Sequence, residues 1–268
     1  MQVDQKASSL TIKNYKHYLK RFLEYTGEIE SKNIDLETIR KYRLYLTRYY
    51  DPKTKKPLKK NTQNYFMIAI RAFLKYLSTS DGTALSFEKV ELEKNEARPL
   101  KVLDNTQLVQ LLMLPDTLKI SGIRDRCILE TLFSTGIRVS ELAQLNRDLI
   151  SLVNPDSVRI VGKAGKQRIV AISQSAINWL DKYLTIRKDA FKPLFIRYQG
   201  VVNISNNGEA MRLTTRSIER IVEKYVKKSA LAVKATPQTF RHSFATDRLV
   251  SGTDIKTVQE MLGHSHIS

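Results

Sequence analysis

Cysteine, tryptophan and negative charge are scarce in this chain. Its 268 residues include one cysteine and one tryptophan, and 27 aspartates and glutamates stand against 45 lysines and arginines. One cysteine excludes an internal disulfide. Cys127 sits in the apolar stretch DRCILETLF, where a small buried core residue is its natural role. No apolar run reaches the length needed to cross a bilayer. The amino terminus, MQVDQKASSL, lacks the charged-then-apolar pattern of a secretory signal. These absences describe a soluble, cytoplasmic protein with no membrane partner.

What the chain has is positive charge. The formal net charge is +18, well beyond what solubility requires, and it points to a polyanionic partner. Duplex DNA, RNA and an anionic membrane surface all remain open on charge alone. Hydrophobic residues make up 42% of the chain, enough for ordinary cores in two modest domains or one large one.

The first third has helical periodicity. Ser9 or Thr11 can cap a helix carrying Leu10, Tyr15, Tyr18, Leu19, Phe22 and Leu23. Asp35 can open a second helix through Ile39, Tyr42, Leu44 and Leu46. The proline-interrupted basic loop DPKTKKPLKK follows, and Asn61 then precedes an apolar series through Leu77 that Ser80, Asp81 and Gly82 end. Residues 83–103 are charged and weakly periodic and read as a linker. The expected division is therefore a helical domain over 1–82, a linker over 83–103 and a second domain over 104–268.

The second domain reads as mostly helical with one small sheet. A helix follows Asp104, and a longer apolar one runs from about Arg124 to Phe133. The segment SVRIVGKAGKQRIVAIS is β-branched on both sides of a Gly-Lys-Ala-Gly-Lys turn, which predicts a hairpin. Helical patterns return over 176–187, 217–229, 238–249 and 255–262.

Four segments carry the informative polar residues. In STGIRVSEL, Arg138 and Glu141 lie three apart and are expected to share a helical face. In IVGKAGK, Lys163 stands at the hairpin tip among glycines that permit close approach. In TPQTFRHSFAT, Gln238 and Arg241 are three apart, just after Pro237 at a helix start. In MLGHSHIS, His264 follows Gly263, a helix-stop signal. Taken singly, each has an ordinary reading: a solvated arginine, an exposed hairpin lysine, a capping histidine.

Taken together and in this order, the four segments resemble the tyrosine recombinase family, that of the phage integrases and Xer proteins. TGIRVSEL is similar to its first arginine box, GKAGKQRIV to its lysine hairpin, FRHSFAT to its second arginine box and LGHS to its last histidine box. The resemblance covers roughly residues 104–268, and the amino-terminal helices suit the family's core-binding domain. It implies a mainly α protein: a SAM-like helical DNA-binding domain followed by a mixed α/β catalytic domain with a small antiparallel sheet.

The resemblance also implies a chemistry, site-specific DNA recombination. In this family a tyrosine attacks the scissile phosphate, leaving a 3′-phosphotyrosine and a free 5′-hydroxyl, with no metal and no cofactor. Arg138 and Arg241 then correspond to the pair that clamps the non-bridging oxygens, for which a planar, permanently charged fork is suited. His264 adds a donor, Lys163 is the general acid for the leaving 5′-oxygen, and Lys166 is the alternative at the same tip. Glu141 corresponds to an acidic family position that orients a catalytic partner; a surface helix pair is its other reading. Lys53, Lys55, Lys56, Lys59 and Lys60 form the densest basic run, either a solvated loop or a set of phosphate contacts. The implied partner is duplex DNA bearing a specific site, held by a homotetramer or a tetramer of related partners.

Two departures from the family pattern qualify this. Gln238 occupies a position that is usually histidine; its amide can donate but cannot take up a proton. The nucleophilic tyrosine is expected about nine residues after His264, near position 273, beyond Ser268. Tyr183, Tyr198 and Tyr225 precede the second arginine box and read as packing residues. The chain as given is therefore expected to bind DNA as a monomer without cleaving it. A non-catalytic DNA-binding protein on the same scaffold is the alternative, and an RNA-binding module rests on charge alone.

Overall fold

The computed structural model describes residues 8–52, 54–80, 85–93, 100–149, 157–162, 165, 167–232 and 234–263. The chain divides into two compact units, residues 1–98 and 99–268.

The first unit is built on three helices, α1 (Ser9–Thr26), α2 (Leu36–Arg48) and α3 (Lys60–Ser80). Ser8, rather than Ser9 or Thr11, caps α1, its Oγ accepting from the Thr11 N–H at 3.1 Å. A capping oxygen reaches the donor three residues on, so Thr11 supplies the donor of the pair. Asp35 caps α2 as expected, accepting from the Thr38 N–H at 2.7 Å. Phe22, Tyr42, Leu46, Phe66, Ile70 and Leu74 form the core, with Phe22 edge-on to Tyr42 at 5.0 Å between centroids. Each such burial stabilises the unit by about 1.5–3 kcal/mol before entropy is counted. Leu23 and Leu44 stay exposed. At about 100° per residue they lie one and two steps around the helix from Phe22 and Tyr42, and so face outward.

The basic loop closes on itself. Tyr50 bridges Pro57, the Asp51 N–H donates to the Lys56 carbonyl at 3.0 Å, and the Lys55 N–H donates to the Asp51 carbonyl at 2.7 Å. Lys55, Lys56, Lys59 and Lys60 are exposed around this turn. Lys53 lies outside the described residues.

The stretch expected as a linker is instead partly packed. Phe87–Lys89 forms a short 3-10 turn, Val90 is buried in the first unit's core, and Leu85, Phe87 and Leu92 pack against that core. Asn64 on α3 holds the strand-like tail, donating to the Glu93 carbonyl at 2.8 Å. Leu103, at the other end, belongs to the second unit's core, and its N–H donates to Ser243 Oγ at 2.8 Å.

The second unit contains α4 (Asn105–Met113), α5 (Ile120–Thr135), α6 (Val139–Ala143), β1 (Ser157–Val161), β2 (Gln167–Ala171) and α7 (Gln174–Ile186). An irregular turn, α8 (Ser205–Gly208), precedes α9 (Thr215–Lys228), α10 (Pro237–Val250) and α11 (Ile255–Leu262). Asp104 caps α4 with a reciprocal Gln107 contact. The centre is α5, which packs against α4, α6, α7, α9, α10 and β2. Cys127 is fully buried on it. Its buried charges are paired: Arg124 binds Asp125 at 2.6 Å, and Asp125 also accepts from the Tyr225 hydroxyl at 2.8 Å. The expected hairpin is present, with β1 and β2 antiparallel and Ile160 opposite Arg168. Among the described residues, no helix is long and apolar enough to cross a membrane.

Candidate active site

Gly136 ends α5 in the left-handed region, at φ 59. The chain then reverses and delivers Arg138 to the start of α6. Arg138 and Glu141 do not share a helical face as expected. Arg138 is the extended residue before the helix, at φ −71 and ψ 147, and Glu141 occupies the third helical position. From there its Oε2 accepts the Arg138 backbone N–H at 2.8 Å. A carboxylate suits this place, because the first-turn N–H groups are unsatisfied and the helix dipole is positive there.

Arg241 lies on the buried face of α10. Its Nη1 donates to the Gly136 carbonyl at 2.8 Å and its Nη2 to the Leu262 carbonyl at 2.7 Å. Leu262 is the last residue of α11, so its carbonyl has no partner within the helix. Arg138 Nη1 reaches the same oxygen at 3.4 Å. Gly263, left-handed at φ 68, then stops α11 as the sequence predicts. His264 follows directly but lies outside the described residues, as do Lys163 and Lys166 at the hairpin tip.

A third arginine joins the group. Arg168 on β2 meets Glu141 in a two-point fork, Nη1 to Oε1 at 2.9 Å and Nη2 to Oε2 at 2.8 Å. Its Nε donates to the Met261 carbonyl at 3.2 Å. Arg138, Arg168 and Arg241 thus come from three separate elements to one carboxylate and one helix end. Sequence reasoning missed Arg168. The available signal was its inward position in the alternation with Val170 on β2, where an apolar residue is the norm.

The electrostatics follow from this crowding. Burial alone would raise the Glu141 carboxyl, but hydrogen bonds from Arg168 and the Arg138 N–H, with both guanidinium charges, hold it below the ordinary glutamate range. Burial, then the positive charges of Arg138 and Arg168, push Arg241 down to about 10, with Glu141 opposing. Arg241 therefore remains a cation at neutral pH. Three guanidinium groups around one carboxylate leave an excess of positive charge, an arrangement that favours an anion. Arg138 is the accessible member, its side chain 42% exposed, against 14% for Arg168.

Gln238, in the first turn of α10, is exposed, while Arg241 three residues on turns inward. Its Nε2 lies 3.4 Å from His242 Nε2. Burial, then the Arg241 charge, lowers the His242 pKa. Gln238 and Arg138 line the same cleft of about 700 Å³, beside Arg216, Lys227 and Lys234. The three tyrosines read as packing residues are engaged elsewhere. Tyr198 donates to the Tyr183 hydroxyl at 3.1 Å, and Tyr225 bonds Asp125.

Comparison with known proteins agrees with this geometry. Residues 101–268 match the phage integrase family, and residues 2–77 match the phage integrase SAM-like domain. The tyrosine recombinase XerD of Staphylococcus haemolyticus (strain JCSC1435) is 32% identical over 279 residues, covering 100% of this chain and 88% of the relative. XerC of Myxococcus xanthus is 38% identical over 213 residues, covering 75% of this chain and 67% of the relative. Among solved structures, XerA recombinase superposes with a TM-score of 0.54 at 26% identity, over 98% of this chain and 85% of that one. A lambda integrase(75-356) dimer bound to a COC' core site gives 0.71 at 15% identity, a likeness of fold, over 97% and 89%.

The class that this fold and arginine cluster define is that of the site-specific DNA recombinases. The chain belongs to the phage integrase family, as a Xer-like tyrosine recombinase.

Proposed function

We propose that this chain binds duplex DNA and seats the scissile phosphate on Arg138 and Arg241, with His264 as a further donor. Lys163 protonates the departing 5′-oxygen, and Lys166 is its alternate at the same tip. Glu141 orients Arg138 through its backbone N–H, and Gln238 donates its amide. The observation that carries this reading is the convergence of Arg138 and Arg241 on the Leu262 carbonyl, one helix end before His264. Donors arranged for a developing phosphorane charge act with little reorganisation, which is the main source of rate in such sites.

Lys53, Lys55, Lys56, Lys59 and Lys60 are proposed phosphate contacts, and a monomer on each half-site is the proposed state outside the synaptic tetramer. A relative solved as "XerH site-specific recombinase bound to difH substrate: pre-cleavage complex" supports duplex DNA as the partner by likeness of fold. A second reading, a non-catalytic DNA-binding factor, is favoured by one observation, the exposed Gln238 where the family pattern has histidine.

The test has two parts. A binding site is first selected from random duplexes, with RNA of the same sequence as competitor. Each lysine contact should contribute about 0.9 log units of affinity per decade of salt; a flat salt response removes the phosphate-contact reading. The selected duplex is then nicked to leave 3′- and 5′-hydroxyls, and affinity is compared with and without orthovanadate. A transition-state mimic at a working pocket gains at least about a hundredfold. Gain in the wild type, lost in Arg138→Met and Arg241→Met, supports the enzyme pocket. Tight duplex binding with no vanadate gain supports the binding factor.

A further inference from the structure

Glu141 has two oxygens, and each is shared by the same two arginines. Oε1 accepts from Arg168 Nη1 at 2.9 Å and from Arg138 Nη1 at 3.3 Å. Oε2 accepts from Arg168 Nη2 at 2.8 Å and from the Arg138 backbone N–H at 2.8 Å. The short, two-point bond belongs to Arg168, while the Arg138 guanidinium holds the carboxylate by one long contact. A guanidinium prefers to meet a carboxylate as a fork. Arg138, only three residues from Glu141, would take that fork were it open.

Arg168 is itself fixed from three sides. It stands on β2, its Nε bonds the Met261 carbonyl at 3.2 Å, and it packs on the backbone of Gly263. A Cβ added at Gly263 would lie 3.0 Å from Arg168 Nη1 and 3.1 Å from Cζ. One side chain therefore connects the hairpin, the start of α6 and the end of α11.

We propose that Arg168 is a positioning residue that occupies the carboxylate of Glu141 and thereby keeps the Arg138 guanidinium available to the phosphate. The idea rests on the phosphate-pocket reading above and adds a competition to it. Remove the Arg168 fork, and Glu141 captures Arg138, drawing the accessible arginine out of the pocket. A carboxylate left partly buried without its partner is costly, so the capture is strongly driven. Remove the carboxylate as well, and nothing remains to capture Arg138.

The nicked-duplex vanadate assay reads this directly, with thermal melting as the control for folding. Arg168→Met should lose about tenfold of the vanadate-dependent gain, within the range for residues sharing a partner. Its vanadate-free duplex affinity should stay within about twofold, since Arg168 does not face the DNA in this proposal. The double variant Arg168→Met, Glu141→Gln should recover most of the gain lost in Arg168→Met, because a glutamine oxygen still accepts the Arg138 backbone N–H but carries no charge to capture the guanidinium, an antagonistic coupling that simple loss of packing does not produce. A double variant no better than Arg168→Met overturns the proposal, as does a full gain in Arg168→Met. Should Arg168→Met fail to melt cooperatively, Arg168→Gln replaces it: a neutral amide can neither fork nor neutralise the carboxylate, so an undiminished gain there is equally fatal. A wild type without vanadate gain sinks the phosphate-pocket reading, and the proposal with it.

Discussion

Arg138 and Arg241 stand 103 positions apart in the chain yet donate to one oxygen, the Leu262 carbonyl, at 3.4 and 2.7 Å. Arg241 also holds the Gly136 carbonyl, so a single buried guanidinium ties the end of α5 to the end of α11. Replacing it with methionine leaves both carbonyls short of that donor, at about 1–3 kcal/mol for each buried group, partly offset by relief of repulsion from Arg138 and Arg168. The expected net loss is about 2–3 kcal/mol, or roughly 5–10 °C in melting temperature for a unit of this size. Melting of Arg241→Met measures it. An unchanged midpoint would mean that the arginine contributes charge to the pocket but nothing to its assembly.

Two positive-φ glycines differ in backbone strain and in steric room. Gly27 and Gly136 have φ of 69 and 59. At Gly27 an added Cβ meets nothing within 4 Å, whereas at Gly136 it would lie 2.4 Å from Phe244 Cδ1 and 3.1 Å from Leu262 Cδ2. With ψ −155, Gly27 lies outside the left-handed helical well, in a region nearly confined to glycine, so Gly27→Ala should cost about 1–3 kcal/mol from backbone strain alone. Gly136→Ala should cost the left-handed penalty of about 1 kcal/mol plus overpacking of about 1–3 kcal/mol, and it should also weaken the vanadate gain, because the Gly136 carbonyl anchors Arg241. A loss in Gly136→Ala of no more than about 1 kcal/mol by urea titration would show that Phe244 moves aside freely.

The acid limb of stability should carry the signature of Glu141. Burial would raise its carboxyl, but the hydrogen bonds from Arg168 and the Arg138 N–H outweigh burial and hold it below the ordinary glutamate range. The unfolded chain thus takes up a proton first as pH falls, so stabilisation from this group is complete above about pH 5 and is lost on descending through the folded pKa. Urea titrations of the wild type and Glu141→Gln between pH 6 and 3 test this. The wild type should be the more stable at pH 6, and the gap should close toward pH 3. A pH-independent gap would assign the effect of the substitution to packing alone.

How much of this was legible in the sequence follows from distance along the chain. The caps at Asp35 and Asp104 and the stop at Gly263 depend on groups within four residues, and the sequence shows them. The hairpin is legible from its β-branched flanks and the glycine turn between them. Arg168 was not, because its partner lies 27 residues away on an unrelated element, and an arginine in a basic hairpin normally reads as solvated. The packed part of the linker was missed for the same reason: Val90 is buried only because the first unit's helical core is there to cover it. Arg138 and Glu141 were paired correctly but with the wrong geometry, since spacing by three suits a helix face and a helix start equally.

Gln238 stands where the resemblance leads one to expect histidine, and its surroundings make that difference testable. It is exposed at the start of α10, shares the cleft with Arg138, and has His242 one turn on at 3.4 Å. An amide donates one fixed neutral contact, whereas an imidazole titrates near neutrality and can add a charge. Gln238→His should therefore raise the vanadate gain several-fold at pH 6, and by less at pH 8, where the new imidazole is neutral. Duplex affinity without vanadate should change little, because the difference lies in the charge that develops at the phosphate. In a chain that carries the family tyrosine, single-turnover cleavage should likewise be faster in Gln238→His than in the wild type. Equal or slower cleavage, with no pH-dependent rise in vanadate gain, would mean that the amide already meets the demand of this pocket and that the usual histidine acts through something other than its proton.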